Sequence, residues 1–245
     1  MQYLLRNKIT YLLFVCCFLS IIGKAQLRTQ LNQLDHDEKL IHFGINLGLN
    51  KAHYSFTHHP KFLTAANDSI STIESINSSG LNLAWLVNVK LGEHFDLRTY
   101  PLNLTFSEKA FEYALKPFDP FLGESALTIK KVQSITLSFP LLIKFTSDRI
   151  NNLKVYTLTG GRIDYDLASN SNKKNAEQLI KIKPFDYSIE AGLGFHIYFP
   201  YFVLSPELRI NWGFSNLHNR NADLKFSSNI DQVKSRMISF SLTVE

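Results

Sequence analysis

Hydrophobic and polar residues alternate one by one over long stretches of this chain. From position 41 to position 50, every odd residue is apolar and every even residue is polar or glycine. A strict period of two places the two sets on opposite faces of a β-strand. The same pattern recurs in five further segments: 81–91, 135–145, 185–199, 202–214 and 238–244.

Two weaker segments, 95–113 and 153–164, bring the predicted number of strands to eight. The first changes phase near positions 99–101, which predicts a bulge or an edge-like break because Pro101 cannot donate a ladder hydrogen bond. No 3.6-residue periodicity persists over three turns, so we expect few and short helices.

Short and long connections alternate between these strands. Residues 92–94, 147–152 and 200–201 form short turns, whereas the gaps at 58–79, 116–127, 168–183 and 216–232 are long and polar. With both chain ends on one side, all short turns share that side and all long gaps share the other. This layout is typical of outer-membrane barrels, with short periplasmic turns and longer external loops, and it predicts a periplasmic N-terminus.

The composition of the two faces decides between a membrane barrel and a soluble barrel. The polar face is rich in glycine and asparagine, and its charges are few and of mixed sign, so we predict a lumenal charge network. Its members are Lys90, Asp96, Arg98, Lys144, Glu190, Glu207 and Arg209. The apolar faces of the six clear strands contain no charge, and a cation facing lipid at mid-depth costs about 2–4 kcal/mol.

We therefore predict an all-β fold, an eight-stranded antiparallel up-and-down transmembrane β-barrel whose apolar face contacts outer-membrane lipid. Eight strands enclose an interior that side chains can fill, so a wide pore is not expected. Outward aromatic residues near strand ends are candidates for interfacial girdles. These are Phe139, Phe145, Phe185, Phe199, Phe202 and Phe214.

The N-terminal segment has the pattern of a secretory signal. Arg6 and Lys8 precede an apolar run over 9–22, and small residues at −3 and −1 place cleavage after Ala25. The run is too short for a spanning helix, which needs about 20 residues. Both cysteines lie within it, so the mature chain is expected to form no disulfide. The predicted organisation is a signal peptide at 1–25, a periplasmic lead-in at 26–40 and the barrel at 41–245.

Charge and composition exclude two classes of protein. Apolar residues make up 45% of the chain, which excludes intrinsic disorder. The formal net charge is +5, but three of the 26 basic residues lie in the predicted signal. The remainder carries 23 bases against 21 acids, so nucleic acid is not an expected partner.

Candidate chemistry is sparse. His53, His58 and His59 near Asp68 form the one cluster that suggests a metal ion or a rim active site, but their spacing matches no ligand motif. Gly-x-Ser-x-Gly and His-Glu-x-x-His motifs are absent from the sequence. We predict no catalytic residue, no metal site, no cofactor and no small-molecule substrate.

Several blocks of the sequence resemble the PorT family, also called SprT. They are 42–50 (HFGINLGLN), 91–98 (LGEHFDLR), 139–145 (FPLLIKF), 160–169 (GGRIDYDLAS) and 186–217 (DYSIEAGLGFHIYFPYFVLSPELRINWGFSNL). The resemblance extends over 41–244. It implies a non-enzymatic outer-membrane barrel of the type IX secretion system, which supports export of sorting-domain cargo and in some species gliding. The implied partners are other secretion-system proteins. A small barrel enzyme, such as a lipase or protease, and a binder of lipophilic ligands stay open as alternatives.

Overall fold

A computed structural model describes residues 30–60, 70–115, 127–169, 182–219, 227 and 229–245. The predicted signal peptide lies outside these residues. A 3₁₀ helix, Leu34–Glu38, precedes nine strand segments in one compact unit, Asn32–Glu245. The strands are β1 Ile41–His58, β2 Ile70–Ile76, β3 Ser78–Lys90, β4 Phe95–Leu115, β5 Leu127–Thr146, β6 Leu153–Asp166, β7 Phe185–Tyr198, β8 Val203–Gly213 and β9 Ile230–Val244. Within the described part of the chain, no helix has the length and apolarity to cross a membrane.

The strands close into an antiparallel ring of eight. Each strand pairs with its neighbours in the chain, and β1 pairs with β9 from Ile45 opposite Val244 onward. β2 and β3 lie on either side of Asn77, and both pair with β4, so they are two parts of one barrel strand. The predicted eight-stranded antiparallel barrel is therefore confirmed.

The register irregularity predicted near Pro101 is present. The pairing of β4 with β5 jumps between Thr99 and Leu104, and its pairing with β3 shifts between Trp85 and Val87. The inward-facing positions of β4 therefore change from even to odd residues, with Arg98 and Asn103 both buried. The bulge explains the phase change in the sequence.

The strands extend further towards the long connections than the sequence predicts. β2 lies within the predicted gap 58–79, and β5 and β9 begin at Leu127 and Ile230. The reason lies in the side chains, since the hydrophobic pattern reverses at this end. In β1 the outer face turns polar at Lys51 while the inner face turns apolar at Ala52. We call this end of the barrel the loop end, and the opposite end the turn end.

Between the reversal and the turn end, the outer face carries a belt of exposed apolar side chains. In β1 the belt runs over 41–49, where Phe43, Leu47 and Leu49 are 61%, 59% and 63% exposed. At a rise of about 3.3 Å per residue and a tilt of about 40°, nine residues span about 23 Å along the membrane normal. This height matches the apolar band of an outer-membrane barrel, about 25 Å.

Aromatic rings cluster at the edges of the belt. At the turn end, Phe95 packs against Phe145, and Phe199 stacks on Phe202 with ring centroids 4.9 Å apart. The six phenylalanines predicted for the girdles all have exposed side chains. Aromatic side chains favour the membrane–water interface, so these pairs mark where the belt ends.

Candidate functional site

Seven charged side chains form an alternating chain across the barrel interior, which we call the charge chain. Each of its three arginines contacts two carboxylates. In order, the contacts are Glu245 Oε1–Arg98 Nη2 at 3.3 Å, Arg98 Nη1–Glu207 Oε2 at 2.9 Å, Glu207 Oε1–Arg209 Nε at 2.9 Å, Arg209 Nη1–Glu190 Oε1 at 2.8 Å, Glu190 Oε2–Arg162 Nη1 at 3.0 Å and Arg162 Nε–Asp164 Oδ1 at 2.7 Å. The contact at Arg209 Nε is an ion pair without hydrogen-bond geometry.

Tyrosines complete the surroundings of the central carboxylate. The Tyr156 hydroxyl donates to Glu207 Oε2 at 2.7 Å, and the Tyr100 hydroxyl donates to Oε1 at 3.4 Å. The Arg98 guanidinium lies over the Tyr156 ring, and that of Arg209 lies over the Tyr100 ring. Because the side chains of Arg98 and Glu207 are fully buried, their charges need these partners to offset the loss of hydration.

Glycines on the inner face make room for these long side chains. A Cβ atom at Gly192 would lie 2.8 Å from Cγ of Arg209, and one at Gly194 would lie 2.5 Å from the Tyr156 ring. Real Cβ contacts are longer than this, so larger residues would displace the arginine and the tyrosine. The glycine-rich inner face of β7 therefore follows from what the lumen must hold.

The seven residues predicted as lumenal charges fall into three groups. Arg98, Glu190, Glu207 and Arg209 belong to the charge chain. Lys144 and Asp96 form a separate pair, 2.6 Å apart, nearer the turn end. Lys90 is half-buried and donates to the backbone carbonyl of Asp37.

Three members of the charge chain are not predicted from the sequence. Arg162 and Asp164 lie two residues apart on the inner face of β6, with the same spacing as Glu207 and Arg209 in β8. That spacing was a usable signal, but the poor alternation of β6 hid which face points inward. Glu245 directly follows β9, and no periodicity assigns its partner.

The turn end of the lumen is closed by the 3₁₀ helix Leu34–Glu38. Asp37 Oδ1 accepts hydrogen bonds from Lys154 Nζ at 2.9 Å and from the Tyr198 hydroxyl at 2.7 Å. Arg149 lies over the Tyr198 ring and 3.6 Å from Asp37 Oδ2. Burial alone would raise the pKa of Asp37, but the hydrogen bonds from Tyr198 and Lys154 lower it below its usual value.

His36, in the same helix, packs against His42 at the start of β1, with ring centroids 4.3 Å apart and ring planes tilted by 32°. Burial, and then the neighbouring His42, lowers the pKa of His36 to about 4, so its ring is neutral at pH 7. One ligand atom each from His36, His42 and Glu245 lie within 4.8 Å of one another. No local sequence pattern predicts this cluster, because Glu245 is about 200 residues away from His36 and His42 in the chain.

The loop end of the lumen is closed by an apolar cluster, which we call the roof. Tyr54 stacks on Phe111 with centroids 5.4 Å apart, and Lys109 lies over the Tyr54 ring. The roof consists of Tyr54, Ile70, Ile73, Phe111, Tyr113, Ile182, Leu217, Ile230 and Val233. The polar lumenal face of the alternating segments does not continue to this end, because the barrel wall here has a polar outer face and needs an apolar core.

Between the roof and the charge chain lies a cavity of about 40 Å³. Asp164, Asp186, Lys109 and Arg162 contribute to its polar lining. This volume accommodates a few water molecules but no small-molecule ligand of ordinary size. Among the residues that the structure describes, the lumen is thus filled by side chains, with the 3₁₀ helix across one end and the roof across the other.

The histidine cluster considered for metal binding or catalysis does not assemble among the described residues. His53 lies on the outer face of β1 beside Arg236, and His58 packs against Phe56. Asp68, the fourth member, lies outside the described residues. A cation beside His53 opposes binding of a second cation there.

These features define a class of protein: a transmembrane β-barrel with a lipid-facing belt and a filled, closed lumen. The family described as outer membrane protein beta-barrel domain matches residues 25–219. The chain belongs to this family, and the protein is an outer-membrane protein. Comparison with curated proteins finds no match.

The chain is also similar to several solved outer-membrane proteins of low sequence identity. Neisserial surface protein A is 10% identical, with 84% of this chain and 99% of that chain covered and a TM-score of 0.41. OprG from Pseudomonas aeruginosa is 9% identical, with 82% and 92% covered and a TM-score of 0.42. Ail of Yersinia pestis is 12% identical, with 82% and 96% covered and a TM-score of 0.35. Similarities this distant do not bear on function.

Proposed function

We propose that this outer-membrane barrel is a non-enzymatic component of the type IX secretion system that supports export of sorting-domain cargo through contacts with partner proteins. The resemblance of its sequence blocks to the PorT family supports the secretion role. In species that glide on surfaces, the same role extends to gliding. A signal peptide at 1–25 and a periplasmic lead-in belong to the proposal, since export to the outer membrane requires a signal.

The observation that carries the proposal is the filled and closed lumen. The charge chain crosses the interior, the 3₁₀ helix closes the turn end and the roof closes the loop end. The part of the barrel that the structure describes leaves cargo no path through the interior, so we expect its contribution to export to come from its outer surfaces. Partner contact at the rims is therefore the mode of action that best fits the interior.

The turn end offers exposed apolar side chains for such contacts. Tyr201, in the turn between β7 and β8, is 93% exposed, and Ile150, in the turn between β5 and β6, is 73% exposed. Both lie beyond the belt, at the tips of short turns. Exposed apolar residues on short, well-anchored turns are suited to contacting another protein.

The test is secretion of a reporter that carries a C-terminal sorting domain, measured in a strain lacking the gene. We expect the reporter to accumulate in the periplasm, and wild-type protein to restore secretion. Normal secretion in the deletion strain would refute the proposal. The purified protein should also give no conductance steps in a planar bilayer, and stable open channels would contradict the closed lumen.

Turn variants then test where partners bind. The double substitution Tyr201→Ser and Ile150→Ser should reduce secretion while leaving the amount of folded barrel unchanged. Glu93→Ser is the matched control, since it alters an exposed residue of the third short turn. Full secretion by the double variant would remove these two residues from the contact surface.

A further inference from the structure

We propose that His36, His42 and Glu245 form a binding site for a divalent transition-metal ion, Zn²⁺ foremost, at the turn end of the lumen. Imidazole nitrogens and a carboxylate oxygen are common zinc ligands, and two histidines with one glutamate form a known three-ligand set. The inference does not depend on the secretion role.

The geometry brings together residues from three separate parts of the chain. His36 lies in the 3₁₀ helix, His42 is the second residue of β1, and Glu245 follows the last residue of β9. Their ligand atoms lie within 4.8 Å of one another. Metal–ligand distances of about 2.0–2.2 Å in a tetrahedral site place ligand atoms about 3.4 Å apart. Side-chain rotations that bring the ligand atoms closer together by little more than about 1 Å, the difference between these two separations, would complete the site.

The backbone around each ligand is well anchored, so the site needs only side-chain movement. The Glu245 amide donates to the Val203 carbonyl at 3.0 Å, and its own carbonyl accepts from the Val203 amide at 2.9 Å. His42 is paired with Asn88 in the ladder between β1 and β3. The helix that carries His36 is held by the ion pairs of Asp37.

A polar cavity of about 80 Å³ adjoins the three ligands and gives an ion room to keep a bound water. Three ligands and a water complete a four-coordinate zinc site. His196 lines the same cavity, but its Nδ1 lies 2.7 Å from Ser205 Oγ and its Nε2 lies 3.3 Å from Lys144 Nζ. We therefore assign the fourth position to water rather than to His196.

The nearby cations are already engaged with other groups. Lys144 pairs with Asp96 at 2.6 Å, Lys154 pairs with Asp37 at 2.9 Å, and Lys90 donates to the Asp37 carbonyl at 2.7 Å. Arg98 contacts only one oxygen of Glu245, at 3.3 Å, which is the longest link of the charge chain. The charge on the Glu245 carboxylate is therefore the least neutralised of the chain, and a metal ion would neutralise it.

Binding would tie the lead-in to both edges of the barrel seam, β1 and β9. The ion would therefore hold the 3₁₀ helix in the mouth of the lumen more firmly than its ion pairs do alone. This consequence gives a readout other than binding itself, namely the resistance of the lead-in to protease.

The experiment uses the full mature chain, folded in detergent micelles, and Zn²⁺ alone as the probe. We expect isothermal titration calorimetry to find one Zn²⁺ per chain, and Co²⁺ to give visible ligand-field bands typical of a tetrahedral site. His36→Ala and His42→Ala should each weaken binding at least about tenfold, because each removes a direct ligand. Glu245→Gln should weaken it as well, and Zn²⁺ should slow cleavage of the lead-in by trypsin in the wild type but not in the three ligand variants.

The control is His53→Ala, which removes a histidine from the outer face of β1 and should leave Zn²⁺ affinity unchanged. Heat-modifiable migration in gels confirms that each variant is folded before titration. The proposal is overturned if the wild type binds no Zn²⁺ saturably. It is equally overturned if the folded His36→Ala/His42→Ala double variant binds as tightly as the wild type, or if His53→Ala abolishes binding.

Discussion

We predict that the barrel tolerates the loss of a carboxylate from the charge chain better than the loss of an arginine. The charge chain holds three arginines and four carboxylates, so its formal charge is −1. Glu207→Gln brings that charge to zero and leaves Arg98 with Glu245 and Arg209 with Glu190. Arg209→Met brings it to −2 and leaves Glu207 and Glu190 with one arginine each. Removal of the cation should therefore cost more than removal of the carboxylate.

The contacts set the magnitudes. Glu207→Gln weakens two charge-assisted contacts but keeps a hydrogen-bonding side chain for Tyr156, so we expect a loss of about 1.5–3 kcal/mol in unfolding free energy. Arg209→Met leaves a buried, undercompensated negative charge, which corresponds to about 3–5 kcal/mol. The double variant restores a formal charge of −1. It should therefore be more stable than the sum of the single losses implies, by about 0.5–3 kcal/mol.

Urea unfolding in lipid vesicles, followed by fluorescence of Trp85 and Trp212 and by gel mobility, measures these differences. Both tryptophans are exposed on the outer face of the barrel, so their emission reports insertion and unfolding. Glu74→Gln is the matched control, because Glu74 is exposed in β2, and its change should stay within about 0.5 kcal/mol. Equal losses for Glu207→Gln and Arg209→Met, or strict additivity in the double variant, would refute the reasoning.

Three further sets of variants test the strand pairing, the lipid-facing belt and the 3₁₀ helix at the turn end. Gly160→Ala should greatly lower the fraction of molecules that fold, because the added Cβ would clash with the Leu141 carbonyl oxygen. Gly161→Ala should fold normally, because Gly161 faces open space. Leu47→Arg, in the middle of the belt, should cost about 2–4 kcal/mol in urea unfolding from vesicles. Asp37→Asn should speed trypsin cleavage of the lead-in severalfold by removing its ion pairs with β6 and the adjoining turn.

Each of these expectations has a contrary outcome. Equal folded yields of the two glycine variants would mean that β5 and β6 can separate without cost at this point. A Leu47→Arg barrel as stable as a Leu47→Met control would place the belt outside the membrane. Unchanged cleavage in Asp37→Asn would mean that the 3₁₀ helix is held by other contacts.

The sequence predicts the barrel well because lipid and lumen make opposite demands on alternate residues. Where both demands act, as over 41–50 of β1, the alternation is strict and the strand is predicted correctly. In β6 the outer face includes Thr157, Thr159 and Gly161, which weakens the contrast between the faces. The sequence predicts the strand there but not its inward charges, Arg162 and Asp164.

The candidate site is less predictable, because its contacts join residues that are distant in sequence. The local pair Glu207–Arg209 is visible from its spacing, and its members do contact each other. The link from Arg98 to Glu245 depends on the order of strands around the ring. The same holds for the approach of His36 and His42 to Glu245, which requires β1 and β9 to meet at the seam.

The reversal of the hydrophobic pattern occurs on both faces at the same height of the wall. At the seam, Leu49 and Phe240 are outward and apolar, whereas His53 and Arg236, four residues further towards the loop end, are outward and polar. Inward positions change over the same interval, from polar Asn50 and Ser239 to apolar Ala52 and Met237.

The coincidence has a physical cause, because the solvent changes at that height. Apolar side chains on the outer face can contact lipid without cost, so the hydrophobic effect does not stabilise this section of the barrel. Its stability comes from the hydrogen bonds between strands and from the paired charges in the lumen. Beyond the lipid, water surrounds the wall, and burial of the roof stabilises it by the hydrophobic effect. The two sections are therefore stable for opposite reasons. Substitutions in the roof should weaken the loop end while leaving the charge chain, and the barrel around it, folded.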